Sequence, residues 1–244
     1  MQFTLSRREN RWWYNPSMKE RIAITGSKGT IGTVLRGGLS RDFEIKGIDL
    51  HETDERDYGQ VLEAFRNCSA VIHLAWNPKI ENYKSQELDP QNRLMYENVY
   101  RAALESGVKR VVMASSIHAD DFYSWGESLM SPYQKAHPKM PYGEDKVEME
   151  QMGREYAKKG LEVICIRFGG INPANKAPKA GLPRDMATWL SHNDCTSLID
   201  AVLRAKSIPN NFAIVYAVSD NEGRVSDVSN SFGWHPKEHA KDFV

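Results

Sequence analysis

Tyr142 and Lys146 form a Y-x-x-x-K pair whose residue types and spacing could carry out proton transfer. On a helix, residues four positions apart lie on one face, with Cβ atoms about 5–6 Å apart. A lysine ammonium beside a phenol stabilises the phenolate and lowers the tyrosine pKa from about 10 toward neutral pH. Such a tyrosine can exchange a proton with a substrate hydroxyl while a hydride leaves the adjacent carbon. The spacing also arises by chance, so the pair needs support from other residues.

A second polar group follows the apolar run RVVMA, in the order Ser115-Ser116-Ile117-His118. If that run is a strand, these residues stand at its carboxyl end, where ligands bind in open α/β sheets. A hydroxyl there, for example that of Ser116, could hydrogen-bond the reacting oxygen. Taken alone, His118 is more typical of an ordinary polar loop residue than of a ligand contact.

A glycine-rich turn near the start of the chain could hold a cofactor for this chemistry. The segment RIAITGSKGTIG, from Arg21 to Gly32, is a short apolar run followed by a G-x-x-G-x-x-G pattern and then by residues at helical spacing. In a strand–turn–helix context, Gly26 permits a tight turn, Gly29 lets a pyrophosphate approach the backbone, and Gly32 allows close packing on the sheet. The helix N-terminus then faces the phosphates. The other interpretation is a turn with incidental glycines.

Asp49 ends the next apolar run, about twenty residues beyond the glycine turn. A carboxylate in this place can accept hydrogen bonds from an adenosine ribose and would repel a 2′-phosphate. Together with the glycine pattern, Asp49 favours NAD over NADP. The alternative is a solvated acid at the end of a strand.

The elements that must position these residues follow from hydrophobic patterning. Predicted strands cover residues 21–25, 44–48, 70–75, 110–115, 161–168 and 213–218. The predicted helices are one that includes residues 31–39 and others over 57–66, 92–106, 142–159 and 196–205. Residues 117–141 and 169–184 are expected to be irregular, and a short helix is expected in the tail after Ser226. Little room for a further strand remains after Asp49, so Leu50 to Thr53 are expected to form a stub of it. Alternating strands and helices indicate an α/β fold, a doubly wound parallel sheet of Rossmann type.

Composition excludes several other classes of function. The 244 residues carry a formal net charge of +0, which gives no electrostatic reason to expect nucleic acid or an anionic membrane as a partner. No apolar run approaches the roughly 20 residues needed to span a bilayer. Cys68, Cys165 and Cys195 are too far apart for a metal knuckle or a disulfide framework. We therefore expect no metal and a cytoplasmic location.

The chain divides into three predicted parts. Residues 1–17 form an unassigned extension with the aromatic cluster Trp12-Trp13-Tyr14, which could pack on the domain, on a partner subunit, or belong to a disordered tail. Residues 18–168 are expected to form the cofactor-binding domain. Residues 169–244 are expected to complete the sheet and the substrate pocket as a small C-terminal part.

In this order, the motifs resemble the extended, epimerase-like branch of the short-chain dehydrogenase/reductase family. The resemblance covers about residues 20–235 and rests on the segments TGSKGTIG, VIHLA, VVMASS, PYGEDK and ICIRFG, with Asp49 and Asn92 between them. It implies catalytic roles for Ser116, Tyr142 and Lys146. It implies cofactor contacts from Gly26, Gly29, Thr30, Ile31, Gly32, Asp49, Asp54, Leu74, Ala75, Tyr142 and Lys146, with Asp54 as the acid that meets the adenine.

Within that branch, the segments SSIH, RDMATWLSHNDCTSLI and FAIVYAVSDNEG are similar to uronate dehydrogenases and to archaeal NAD-dependent sugar dehydrogenases. This similarity implies substrate contacts from Trp76, Ser116, His118 and Arg184, with Arg184 gripping an anionic group. The chain departs from that subgroup by having Ile117 in place of the usual Asn and by a shortened region after Asp49. Homodimers through helices such as 92–106 and 142–159 are common in the family.

The predicted function is an NAD-dependent oxidation of a small sugar, sugar acid or sugar phosphate, giving a lactone at the anomeric carbon. A nucleotide-sugar epimerase of the UDP-glucose 4-epimerase type is the alternative, but only residues 170–244 follow Gly169 to enclose a nucleotide. A non-catalytic NAD-binding protein is the third possibility. It predicts loss of Tyr142 or Lys146, and both are present.

Overall fold

A single parallel sheet positions the motif residues. The structure, a computed structural model, describes residues 19–77, 90–120, 129–178 and 183–244. The strands are β1 (Arg21–Thr25), β2 (Glu44–Ile48), β3 (Ala70–His73), β4 (Arg110–Ser116), β5 (Glu162–Phe168) and β6 (Phe212–Ala217). They are all parallel, in the order β2-β1-β3-β4-β5-β6. The predicted parallel sheet is therefore confirmed, and β6 adds a strand from the C-terminal part of the chain.

In the described ranges, six α-helices connect or flank the strands. They are α1 (Thr30–Leu39), α2 (Tyr58–Ala64), α3 (Pro90–Glu105), α4 (Pro141–Lys158), α5 (Pro183–Ala187) and α6 (His192–Arg204). Short 3₁₀ helices cover Ile117–Ala119, Pro209–Asn211 and Ala240–Phe243, and the last of these is the short helix expected in the tail. The residues of the N-terminal aromatic cluster lie outside the described residues.

The helices cover both faces of the sheet. On one face, α1 and α6 bury Leu35, Leu39 and Leu198 against β1 and β5. On the other face, α2, α3 and α4 bury residues such as Tyr96 and Met149 against β3 and β4. Because each large apolar side chain contributes about 1.5–3 kcal/mol when fully buried, these two layers provide the main stabilisation of the doubly wound fold. No helix in the described ranges is long and apolar enough to cross a membrane.

The structure corrects three predictions about local structure. Residues 50–53 form a turn in which the N–H groups of Glu52 and Thr53 both donate to the Asp49 carbonyl, so the expected stub strand is wrong. The predicted third strand ends at His73 rather than at residue 75. Helix α6 begins at His192 rather than at Thr196, because the Ser191 hydroxyl accepts a hydrogen bond from Asp194 N at 3.0 Å and caps the helix.

The segment around α5 was expected to be irregular but folds back over the carboxyl edge of the sheet. Gly170 N donates to Thr188 O at 2.9 Å, and Leu190 N donates to Gly170 O at 2.8 Å. These bonds place α5 beside the end of β5, in the crevice where open α/β sheets bind ligands. The predicted residue Arg184 lies on this helix.

Candidate active site

A cavity of about 860 Å³ opens at the carboxyl ends of the strands. The glycine turn, the residues that follow β3, and residues of α5 all line it. A second cavity of about 500 Å³ also borders the glycine turn and is lined by Asp49 and by residues of α3. Gly26, Gly29, Leu74 and Trp76 line both cavities. All the predicted site residues except Asp54 line one or both of them.

Tyr142 and Lys146 lie in the first turns of α4, which begins with Pro141 at its first helical position. The Lys146 Nζ lies 5.6 Å from the centroid of the Tyr142 ring. Edge-on contacts fix that ring between two others, with centroid distances of 5.4 Å to Trp76 and 5.9 Å to His118. The structure thus brings the predicted acid/base pair together inside the cavity.

The buried ammonium of Lys146 is held without a carboxylate ion pair among the described residues. Its Nζ donates to Ala114 O at 2.7 Å and lies 3.4 Å from the centroid of the Trp76 indole. Burial lowers the pKa of Lys146 to about 7, against opposing charges on Asp145 and Glu150. A lysine in this state changes charge easily near neutral pH, as expected of a group that assists proton transfer.

The two serines at the end of β4 have different partners. The Ser116 hydroxyl lines the large cavity and accepts a hydrogen bond from His118 N at 3.2 Å. The Ser115 hydroxyl donates to the buried carboxylate of Glu150 at 2.6 Å. Since Ser115 is committed to this internal bond, Ser116 is the better candidate for a contact with the reacting oxygen.

His118 and Arg184 both line the large cavity and are close enough for their charges to interact. The pKa of His118 is lowered by burial and by the positive charge of Arg184. A neutral imidazole can then act as a hydrogen-bonding group, while the guanidinium supplies the positive charge. A planar guanidinium fork suits a carboxylate or a phosphate.

The three glycines of the turn are required for different reasons. Gly26 has φ +62°, and a Cβ there would lie 2.7 Å from Ala75 N. A Cβ on Gly32 would lie 2.7 Å from Ser27 Cα, so close packing within the chain excludes a side chain. A Cβ on Gly29 would meet only Gly26 O, at 3.3 Å, yet Gly29 borders both cavities. Its lack of a side chain therefore leaves room for a ligand, as a bound pyrophosphate would need.

Asp49 and Asp54 are placed differently in the second cavity's surroundings. Asp49 lines that cavity, with one carboxylate oxygen accepting from Lys28 N at 2.9 Å and the other from Leu50 N at 3.0 Å. The Asp54 carboxylate instead bonds Arg56 through both oxygens, at 2.8 and 2.7 Å, which lowers its pKa. The structure does not place Asp54 at either cavity.

A buried ion pair beneath α4 was missed by sequence reasoning. Glu150 receives two hydrogen bonds from the Arg167 guanidinium, at 2.9 and 2.8 Å. Arg167 also donates to the Tyr216 hydroxyl at 2.8 Å, and that hydroxyl donates to Asp120 at 3.0 Å. The only signal in the sequence was an arginine within the apolar run ICIRF, which requires a partner if the run is buried.

Asn92, which carried part of the resemblance, has a supporting role in the structure. Its side-chain oxygen accepts from Asn77 N at 2.7 Å, which fixes the chain just after Trp76. His73 also supports this region, since its Nδ1 is 2.7 Å from the Thr25 hydroxyl. Burial lowers the pKa of His73 to about 3, and the charge of Lys146 acts in the same direction, so His73 is neutral at physiological pH.

The sheet order, the glycine turn and the tyrosine–lysine pair together define a dinucleotide-binding α/β enzyme. The residues at both cavities fit a dinucleotide, because Gly29 leaves space at the turn and Asp49 presents a carboxylate beside it. In the described part of the chain, no group of His, Cys, Asp and Glu is arranged to hold a metal ion.

Comparison with known proteins is consistent with this assignment. The model of the NAD dependent epimerase/dehydratase family matches residues 22–190, and the chain belongs to that family. It is 31% identical to a uronate dehydrogenase from Agrobacterium fabrum over 92% of this chain and 87% of the relative. It is 28% identical to an L-arabinose 1-dehydrogenase (NAD(P)(+)) from Haloferax volcanii over 92% of this chain and 99% of the relative.

A solved structure shares the whole architecture. The crystal structure of uronate dehydrogenase from Agrobacterium tumefaciens superposes with a TM-score of 0.80, at 29% identity over 92% of this chain and 86% of that chain. By contrast, a UDP-glucose 4-epimerase from Vibrio cholerae is 28% identical over 68% of this chain and 57% of its own length. The similarity to these dehydrogenases therefore extends over nearly their whole length, and the similarity to the epimerase does not.

Proposed function

We propose that the protein is an NAD-dependent dehydrogenase that oxidises a CH–OH group of a small sugar, sugar acid or sugar phosphate. The observation that carries the proposal is the shared cavity, which Tyr142, Lys146 and Ser116 line together with the glycine turn. Oxidation at the anomeric carbon of a cyclic sugar would give a lactone. When bound, NAD supplies the hydride acceptor for this step.

The residues of the chain have separate tasks in this mechanism. The Ser116 hydroxyl hydrogen-bonds the reacting sugar oxygen and orients it toward Tyr142. The Tyr142 phenolate accepts the hydroxyl proton as the carbon loses its hydride. Lys146 stabilises the phenolate by its charge and is placed for this by its bond to Ala114 O. Trp76 contacts both Tyr142 and Lys146 and limits access of water to them.

The cofactor preference rests on Asp49. Its carboxylate lines the second cavity, where it can accept hydrogen bonds from ribose hydroxyls. The same negative charge disfavours the 2′-phosphate of NADP. Gly26, Gly29, Thr30, Ile31 and Gly32 would hold the pyrophosphate, and Leu74 and Ala75 would line the cofactor.

The substrate class is inferred from the part of the large cavity that Arg184, His118 and Trp76 line. Arg184 brings a guanidinium beside the neutral His118, and Trp76 provides an apolar wall. A carboxylate or phosphate on the sugar would bind Arg184, which favours a uronic acid or a sugar phosphate over a neutral aldose. The uronate dehydrogenase relative is consistent with a sugar acid, and the arabinose dehydrogenase relative is consistent with a neutral sugar.

An assay panel tests the proposal. The purified chain is supplied with NAD and, separately, with uronic acids, aldoses, sugar phosphates and UDP-sugars, and NADH is followed by absorbance. We expect NADH with at least one small sugar and no more than about a hundredth of that rate from Tyr142→Phe. Interconversion of a UDP-sugar pair without net NADH would support the epimerase alternative. Tight NAD binding without turnover of any sugar would support the non-catalytic alternative.

We also propose a homodimer in a reducing compartment. The outward faces of α3 and α4 lie side by side, joined by an ion pair between Arg93 and Glu148. Paired helices of this kind could form a symmetric interface with a second copy. The three cysteines are buried and free, as is typical of proteins kept reduced. Light scattering of the purified chain measures the mass that decides between monomer and dimer.

A further inference from the structure

Glu55 is a buried carboxyl group that the roles assigned above do not use. The residue is 2% exposed, and its Oε1 has no hydrogen-bond partner among the described residues. Glu55 lines the cavity of about 500 Å³ together with Asp49, Leu74 and Met95. Burial raises the pKa of Glu55 to about 7, and the charges of Asp49 and Asp54 add to the effect. An unpaired buried acceptor destabilises a protein unless something binds it.

The backbone around Glu55 is held in place by hydrogen bonds, so the position from which its side chain extends is fixed. The Asn98 side-chain amide donates to Glu55 O at 3.0 Å and to Arg56 O at 2.9 Å. Asn98 is itself buried on α3. The carboxyl group is therefore presented to the cavity by tertiary contacts, whereas the side chain of a mobile surface acid would turn to water.

The adjacent acid, Asp54, is already paired with Arg56. Asp54 uses both carboxylate oxygens to bind Arg56 and does not line the cavity. Redirecting it would break a two-bond ion pair that is partly exposed. Of these two adjacent acids, Glu55 is the one that lines the cavity, and its Oε1 has no partner among the described residues.

We propose that the Glu55 carboxylate accepts a hydrogen bond from the exocyclic amino group of the adenine of the cofactor, a role that the sequence had given to Asp54. The inference rests on the proposed function, since it requires that NAD is the ligand of this cavity. Leu74 and Met95 supply apolar surface for the faces of the base. The carboxylate then contacts the ring edge at which adenine and hypoxanthine differ, because this edge carries an amino donor in adenine and an oxygen acceptor in hypoxanthine.

Binding of two cofactors to the full chain tests the proposal. Dissociation constants for NAD and for nicotinamide hypoxanthine dinucleotide are measured by calorimetry at about pH 8, where the carboxyl is mostly ionised. We expect the wild type to prefer NAD by about tenfold or more. Glu55→Gln should lose most of that preference, because an amide can donate to the hypoxanthine oxygen. Glu55→Leu should bind the two cofactors within about threefold of each other.

Asp54→Asn is the matched control, because it changes an acid one residue away to its amide. It should keep the wild-type preference for NAD. The proposal is overturned if the preference survives in both Glu55 variants, or if Asp54→Asn is the variant that loses it. NADH production by the wild type, measured on the same preparations, separates the two claims. A wild type that reduces NAD with an unchanged preference in the Glu55 variants refutes this role for Glu55 alone, whereas a wild type that neither binds nor reduces NAD refutes the proposed function as well.

Discussion

Lys146 and Glu150 lie one helical turn apart on α4, and both are buried, but their charged groups have different partners. Glu150 is bound by the Arg167 guanidinium through two hydrogen bonds and by the Ser115 hydroxyl. Among the described residues, the Lys146 ammonium contacts the Ala114 carbonyl and the face of the Trp76 indole. Several hydrogen-bonding partners offset part of the cost of burying a charge, whereas burial without a close counter-charge lowers the pKa of Lys146.

Two parts of α4 therefore have different roles: one holds the helix to the sheet, and the other provides groups for the chemistry in the cavity. The paired end of α4 ties the helix to β4, β5 and β6 through Ser115, Arg167 and Tyr216. The part of α4 nearer its N-terminus lines the cavity with Tyr142 and Lys146. The stable network therefore supports a neighbouring group whose protonation is easily changed.

The largest effect is expected at Tyr142. Tyr142→Phe removes the group that accepts the proton and leaves the ring contacts with Trp76 and His118 intact. We expect the turnover number to fall by about a thousandfold, with the dissociation constant for NAD changed by less than about threefold. Steady-state NADH production and calorimetric NAD binding measure the two quantities. Full activity in the variant would exclude Tyr142 from proton transfer.

Breaking the paired end should cost stability. Arg167→Met leaves the buried Glu150 carboxylate without its counter-charge, which typically destabilises a protein by about 3–5 kcal/mol. The double variant Arg167→Met/Glu150→Met removes both charges and should recover part of that loss. Urea unfolding followed by circular dichroism gives the free energies of unfolding. A single variant as stable as the wild type would contradict the role given to this ion pair.

Lys146 should show the opposite behaviour, with a defined dependence on pH. Its pKa is about 7 in the folded protein and near 10.5 when unfolded, so the unfolded state binds more protons between those values. The buried charge lowers stability most below about pH 7, and that cost disappears as the pH rises toward 10.5. Lys146→Met should therefore be more stable than the wild type at pH 6, by on the order of 3 kcal/mol. Its advantage should shrink above pH 8, and an advantage that grew with pH would contradict the assignment.

A smaller effect is expected at the substrate end of the cavity. Arg184→Lys keeps the charge but loses the planar fork that binds a carboxylate or phosphate through two bonds. We expect KM for an anionic sugar to rise about tenfold, with KM for a neutral aldose changed by less than about twofold. The comparison of the two KM values separates recognition of an anion from a general effect on the cavity. Equal changes for both sugars would argue against an anion contact by Arg184.

Much of the fold could be predicted because its signals are local. The apolar runs RIAIT and AVIH mark buried parallel strands, and the glycines after the first run mark the tight turn into α1. The start of α6 was misplaced although Ser191 and Asp194 carried a capping signal. The turn at residues 50–53 was mistaken for a strand, because its hydrogen bonds to the Asp49 carbonyl leave no mark on the sequence pattern.

The candidate site was predictable only where its residues form a pattern along the chain. Tyr142 and Lys146 are four residues apart on one helix, so their proximity follows from helix geometry. Glu55 and the Glu150–Arg167 pair depend on tertiary contacts. Whether Asp54 or Glu55 reaches the second cavity is decided by Arg56 and Asn98, and nothing in the order of residues indicates that choice.

The division between paired and unpaired charge on α4 is tested most directly by NADH production from Lys146→Met and Glu150→Gln, compared at equal concentrations of folded protein. We predict that Lys146→Met loses about a hundredfold or more in turnover, because the phenolate of Tyr142 loses its stabilising charge. Glu150→Gln should stay within about threefold of the wild type once its lower stability is taken into account. Retained turnover in Lys146→Met, or a hundredfold loss confined to Glu150→Gln, would contradict the account.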